Sequence, residues 1–533
     1  LSGHIASTIC MLLCLISLSL LSSASSLKFL SYSPQFVASH VNFMGKIADV
    51  LVDAGHEVVM LAPIMDPSIT SPGTRKARVI TLPKCAKCDR FEAYMRNLVG
   101  KVWTYKDPTE LGEGWDEYMN AWYERCNETI NYPGLLEQLR AEKFDAAYAE
   151  AQDFCHAGLF HLLGIDTFAI VDPMVIPERT FYYTQMATNL AYVPGAFTPE
   201  SSDKMTFSQR LINLIVYCLI ELGNLDTERI HRMFVQHDPN FPDIKELITR
   251  NSLVFVSTEP LFDFPRPTSA RIIDIGGITV PREHGRVSEE WSNVFDLRNK
   301  TVLLSFGSIY KSSAMPEEYK QSIREAMRRH PDVTFICKYE IPEHKISKDI
   351  PNIIETTWMP QNDLLHDPRL TAFITHAGQN SVSEASYAGV PLIVIPLAFD
   401  QLRNAQQVKR SDIGVIVNRV DLSSSQPLED AIEEIIGNDR YAKNAKKLQK
   451  MLEERPFTMR DIFVRNMEFM AKHGPLRQLD HYGRHLNFFQ YYLIDCIAFL
   501  IAIAITVIFV VLLILRFIYR LVRSLICGKT KVD

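Results

Sequence analysis

The sequence predicts an α/β protein of two lobes, each built on a parallel sheet, with a transmembrane helix near the C-terminus. Three observations carry that expectation. Short apolar strands alternate with helical patterns twice over, as in successive βαβ units. Polar side chains follow several strands of the second half, where doubly wound sheets bind their ligands. The uncharged stretch Cys496 to Leu515 is long enough, at about 30 Å of helix, to cross a bilayer. With 533 residues and a net charge of -6, the chain has ample apolar content for two cores and no general pull toward nucleic acid.

Taken in order, Ile5 to Leu21 is an apolar run followed by the small-residue stretch SSASS. This reads as the h-region and cleavage region of a secretory signal peptide over residues 1–26. A short buried helix is the bland alternative. No initiator Met and no basic n-region precede it, so the true start is expected upstream.

The first lobe is expected over residues 27–285. Lys28 to Ser33 reads as a buried strand, and Ser39 as the N-cap of a helix from about Val41 to Ala54. Gly55 ends that helix and Glu57 to Ala62 is the next strand. Lys84 to Pro133 is aromatic and irregular, as is Pro173 to Asp243, which contains the amphipathic helix Gln209 to Leu222. Such insertions suit a substrate pocket or a membrane surface, and periodicity does not choose between them.

A linker near Pro281 to Ser292 leads to a second lobe over 286–490. Its strands are Thr301 to Ser305, Val333 to Lys338, Asn352 to Thr356, Thr371 to Thr375, Val390 to Ile395 and Ile413 to Val417. Helices follow from Leu428. The amphipathic stretch Thr458 to His473 is expected to fold back across the first lobe.

The membrane span is expected over 496–515 and a basic tail over 516–533. Arg516, Arg520, Arg523, Lys529 and Lys531 place the tail in the cytosol and the lobes in the lumen, a single-pass type I arrangement. The ending KTKVD resembles the K-x-K-x-x signal that retains such proteins in the endoplasmic reticulum membrane. The sequons at Asn127 and Asn299 fall on the luminal side, as glycosylation sites should. Cys85-x-x-Cys88 reads as a disulfide, structural or exposed, because no second pair at metal spacing accompanies it.

Ser308, Trp358, His376, Asp400 and Gln401 each follow a strand of the second lobe, so four loops converge on one site. At its centre stands His376-Ala-Gly378-Gln-Asn380-Ser381-Val-Ser-Glu384. Gly378 permits close backbone approach, and Asn380 and Ser381 fall where a helix begins, a ready anion site. Alone, that stretch is also compatible with an ordinary helix cap.

The stretch Trp358-Met-Pro-Gln-Asn-Asp-Leu-Leu, then ITHAGQNSVSEASYAGVPLIVIPLAFDQ and Asn404, resembles the signature of the UDP-glycosyltransferase family. The resemblance implies the GT-B fold, two Rossmann-like lobes facing a cleft. It further implies that Trp358 stacks on uracil, and that Gln361 and Glu384 bind the ribose. His376, Gly378, Asn380 and Ser381 would hold the diphosphate, while Asp400 and Gln401 bind the sugar. Ala377 and Gln379 depart from the family's usual residues and bear on loop shape.

The resemblance also implies a first-lobe histidine that deprotonates the acceptor hydroxyl. His40 stands at that position, and a helix N-terminus is expected to keep it neutral. His56, by contrast, reads as a capping or surface residue. The family's partner aspartate is replaced by Glu150 in Phe144-Asp-Ala-Ala-Tyr-Ala-Glu150, with Asp153 and Asp145 as alternatives, the latter placed at the strand start.

The implied reaction is inverting sugar transfer from UDP-glucose or UDP-glucuronate to a small lipophilic hydroxyl acceptor. No D-x-D motif is present, so no metal and no other cofactor is expected. Membrane lipid is an expected partner, nucleic acid is not, and homo-oligomers are common in the family. Two competing readings are a catalytically silent UDP-sugar or lipophile-binding homologue and a structural ectodomain.

Overall fold

The computed structural model describes residues 26–527 except 179, 182–187, 197, 199–201, 223–225, 251 and 282–283. The expected signal h-region, Lys529 and Lys531 lie outside the described residues.

The first sheet has seven parallel strands: β1 (Lys28–Tyr32), β2 (Glu57–Pro63), β3 (Arg78–Leu82), β4 (Ala146–Ala149), β5 (Phe168–Asp172), β6 (Leu253–Val256) and β7 (Ile272–Asp274). Their order is β3-β2-β1-β4-β5-β6-β7. The second sheet holds β8 (Lys300–Ser305), β9 (Val333–Lys338), β10 (Ile353–Thr356), β11 (Leu370–Thr375), β12 (Leu392–Val394) and β13 (Gly414–Ile416), in the order β10-β9-β8-β11-β12-β13. Both are doubly wound. The chain reverses direction across the sheet between β1 and β4, and again between β8 and β11. Crevices that bind ligands open at such reversals.

The strands form where apolar residues run unbroken, because a parallel sheet is covered on both faces. Phe29 and Leu30 of β1, all of β4 and Val302 to Leu304 of β8 are buried. The helix after β1 spans Ala38–Asp53 and buries Val41, Met44, Ile47, Ala48 and Leu51 against the sheet. Its N-cap is Val37, with no side-chain cap, so Ser39 lies inside the first turn and does not cap.

Residues 84–133 are not irregular. Two helices, Cys88–Lys101 and Trp115–Ile130, pack against each other there. Their aromatics face one another and a cavity, which masks the helical period. Likewise the expected linker is shorter, since the helix Glu289–Phe295 begins inside it. Disulfides join Cys85 to Cys88, which are buried rather than exposed, and Cys126 to Cys155.

Helix Met459–His473 crosses back to the first sheet, capped by Thr458, which accepts from the Asp461 N–H (3.0 Å). Phe463 is fully buried with its ring 4.8 Å from Phe255 and 6.5 Å from Tyr148. His56 corrects its expectation as a surface residue. It is buried, with Nδ1 accepting from Leu27 N–H and Nε2 3.0 Å from Glu468 of the returning helix.

Contacts divide the chain after Arg477. The second unit contains the helix Ile494–Cys527, which is apolar and long enough to cross a membrane and exposes its side chains.

Candidate active site

His40 follows β1 and Glu150 follows β4, so the reversal of the first sheet places them side by side. His40 Nδ1 lies 2.5 Å from Glu150 Oε1. Gln152 donates a second hydrogen bond to the same oxygen, and Phe36 packs against the imidazole with ring centroids 4.9 Å apart. Asp145, the other carboxylate near the strand, accepts from Lys28 N–H at 2.7 Å and is structural. Asp153 accepts from Cys155 N–H.

The helix end does not decide the charge of His40. Burial pulls the imidazole down, but the Glu150 charge and hydrogen bond outweigh it, with Asp400 and Asp172 adding, and the pKa is raised. The helix start therefore does not keep the His40 pKa low, as the sequence had suggested. Three carboxylates, Glu150 first, favour the imidazolium.

The reversal of the second sheet gathers the other half. Gly307 and Ser308 follow β8, and His376 follows β11. Gly378 is the N-cap of helix Gln379–Ala388, whose first turn carries Asn380 and Ser381. The packing is close: a Cβ on Gly378 would meet His376 Nε2 at 2.5 Å, and one on Gly307 its Cε1 at 2.8 Å. His376 is buried and its pKa is pushed down to about 4, first by burial and then by Lys338. It is a neutral hydrogen-bonding group at physiological pH. Ala377 has φ +64, where a glycine carries no steric cost, so the alanine costs about 1 kcal/mol.

Asp400 opens helix Asp400–Arg410 after β12 and is buried. Burial raises its carboxyl to about 6 despite a hydrogen bond from Asn404 Nδ2 (2.9 Å) and the charge of His40. Gln401 Oε1 accepts from Leu397 and Ala398 N–H, so that oxygen is spent on its own loop. Gln361 Nε2 donates to Glu384 Oε2 at 2.7 Å, and burial raises the Glu384 carboxyl.

A cavity of about 1430 Å³ connects the two halves. Its wall includes His40, Ser308, His376, Gly378, Asn380, Ser381, Glu384, Asp400 and Gln401. Trp358 and Gln361 are not part of that wall. Trp358 is 69% exposed, which removes the reading of a core tryptophan. Asn299 is exposed in the turn before β8, whereas Asn127 is half-buried in a helix.

Several wall residues fall in the two insertions that the sequence marked as suiting a pocket, without showing which side chains line it. Trp115, Tyr118, Tyr94 and Leu98 line the cavity from the first of these insertions, and Val216 and Leu219 line it from helix Phe207–Leu222. Lys338 is a further omission. Its trace in the sequence is a cation closing an apolar strand, VTFICK, at the carboxyl edge.

The family model described as UDP-glucoronosyl and UDP-glucosyl transferase matches residues 28–529. A Caenorhabditis elegans relative, ugt-48, is 29% identical over 486 residues, covering 88% of this chain and 91% of its own. UDP-glucuronosyltransferase 1A6 of Mus musculus is 28% identical over 498 residues, covering 89% and 88%. Among solved structures, Os79 from O. sativa, in complex with U2F and trichothecene, is similar over 83% of this chain and 100% of its own, with a TM-score of 0.56 and 16% identity. That likeness shows the GT-B fold.

Proposed function

Since the chain belongs to the UDP-glucuronosyl and UDP-glucosyl transferase family and is a UDP-glycosyltransferase, we propose that His40 is its general base, that its acceptor is a small lipophilic hydroxyl compound, and that transfer inverts the anomeric carbon. The observation that carries this reading is the His40–Glu150 pair, 2.5 Å apart on the wall of the cavity that His376 and Asp400 also line.

With Nδ1–H donated to Glu150, Nε2 is left to accept the acceptor's hydroxyl proton. The freed oxygen attacks the anomeric carbon of the sugar from the face opposite UDP, and the carbon–oxygen bond to UDP breaks in the same displacement. Glu150 stabilises the imidazolium that forms. On the other side, the Asn380 and Ser381 N–H groups at the helix start and a neutral His376 meet the charge developing on UDP. Asp400 accepts from sugar hydroxyls. Apolar and aromatic walls around Trp115 and Tyr118 suit a flat, lipophilic acceptor. Protein groups alone meet the diphosphate charge in this scheme, so chelation by EDTA should leave turnover intact. We place the enzyme in the endoplasmic reticulum membrane with its lobes luminal.

The test is UDP release from UDP-glucose and UDP-glucuronate in microsomes, with phenols, steroids and flavonoids as acceptors. One donor should support acceptor-dependent release, and His40→Ala should lower it by about 10²–10⁴-fold. UDP binding with no acceptor-dependent release, unchanged by His40→Ala, would instead indicate a silent binding protein.

A further inference from the structure

Lys338 ends β9 directly beside β8, and its side chain reaches under the loop that follows β8. Nζ donates to the Gly307 carbonyl at 2.6 Å, and the Lys338 carbonyl accepts from Ser312 Oγ at 3.2 Å, so both ends of the residue hold that loop. The partner of this cation is a neutral oxygen. Glu340, the carboxylate that acts on it, uses Oε2 to accept the Ser313 N–H (3.0 Å). Burial pulls the ammonium below its ordinary pKa, as expected for a cation without a close counter-charge. Its field also reaches His376.

The Gly307–Ser308 peptide is trans and planar, so its C=O and N–H point in opposite directions. With the carbonyl drawn toward Lys338, the Ser308 N–H points away from it, and Ser308 lines the cavity beside His376 and Ser381. Gly307 holds φ +78, and a Cβ there would strike His376, so the loop has little freedom to turn over.

We propose that Lys338 is the counter-charge of the diphosphate subsite. It fixes the Ser308 N–H toward the diphosphate and supplies a fixed positive charge behind it as UDP leaves. The inference rests on UDP-sugar being the donor. Lys338 is a positioning residue, since it acts through the Gly307–Ser308 loop and does not itself line the cavity.

The experiment is calorimetric titration of uridine, UMP and UDP into the full-length, detergent-solubilised chain, at low and high salt. Wild type is compared with Lys338→Met, Lys338→Gln and Lys338→Arg. Loss of the charge should weaken UDP by about tenfold or more while uridine changes less than about twofold. Lys338→Gln keeps a donor for the Gly307 carbonyl but should share the loss, and Lys338→Arg should recover most of it. The salt sensitivity of UDP binding should fall with the charge. Equal weakening of uridine and UDP, or a Gln variant that binds UDP like wild type, overturns the proposal. Wild type that binds neither uridine nor UDP overturns the donor reading itself.

Discussion

His40 and Asp400 come from different lobes and face one cavity, and each acts on the other's proton. Asp400 helps to raise His40, and His40 helps to hold down an Asp400 that burial raises to about 6. A base with a raised pKa loses activity as pH falls through that value, because the protonated imidazole cannot accept. The acid limb of kcat/KM should therefore lie above 6.5, the ordinary histidine value. Glu150→Gln removes the largest raising influence and leaves burial dominant, so the limb should move to lower pH, with a lower plateau. An unmoved limb in a pH–rate series on that variant would mean that Glu150 is not the partner. Asp400→Asn should raise KM for the UDP-sugar several-fold while the inhibition constant of free UDP stays put, because the proposed scheme gives Asp400 the sugar hydroxyls and not the nucleotide. A parallel rise in both would place Asp400 elsewhere.

At the scale of elements, the second sheet was legible because its buried parallel strands read as unbroken apolar runs. TVLLS and LTAFIT each stop at a polar residue that begins a site loop. The helices Cys88–Lys101 and Trp115–Ile130 were hidden because Trp115 stacks on Tyr118, with Tyr94 tilted against it, on the cavity wall, which blurs the apolar stripe of a core helix. The role of Lys338, and which residues of the two insertions line the cavity, were illegible for a related reason: both depend on which loops the sheet order brings together. The returning helix Met459–His473 was visible by its amphipathic period, but only the structure shows Phe463 wedged between Tyr148 and Phe255. Phe463→Ala should destabilise the first lobe by about 3–5 kcal/mol, read by chemical denaturation. A cost below about 1 kcal/mol would show that the helix merely rests on the sheet.

For the molecule as a whole, the apolar helix Ile494–Cys527 predicts a partition. The full chain should stay with the pellet after alkaline carbonate extraction, and a chain ending at Arg477 should pass to the supernatant. Retention of the shorter chain would point to additional anchoring within the lobes, for which the exposed Phe207, Leu211 and Leu219 are the first residues to change. The returning helix also sets an order of assembly. The last strand of the first sheet, ending at Asp274, leaves the ribosome long before Phe463 is made. At ribosomal rates of about 5–20 residues per second, that delay is on the order of ten seconds or more. Throughout it, Tyr148 and Phe255 lie uncovered on a sheet that is otherwise complete. A nascent first lobe must therefore wait, under whatever holds it soluble, for the final turn of chain that lids it. Premature stop codons shortly before Thr458 would consequently harm the first lobe, although they remove none of its strands.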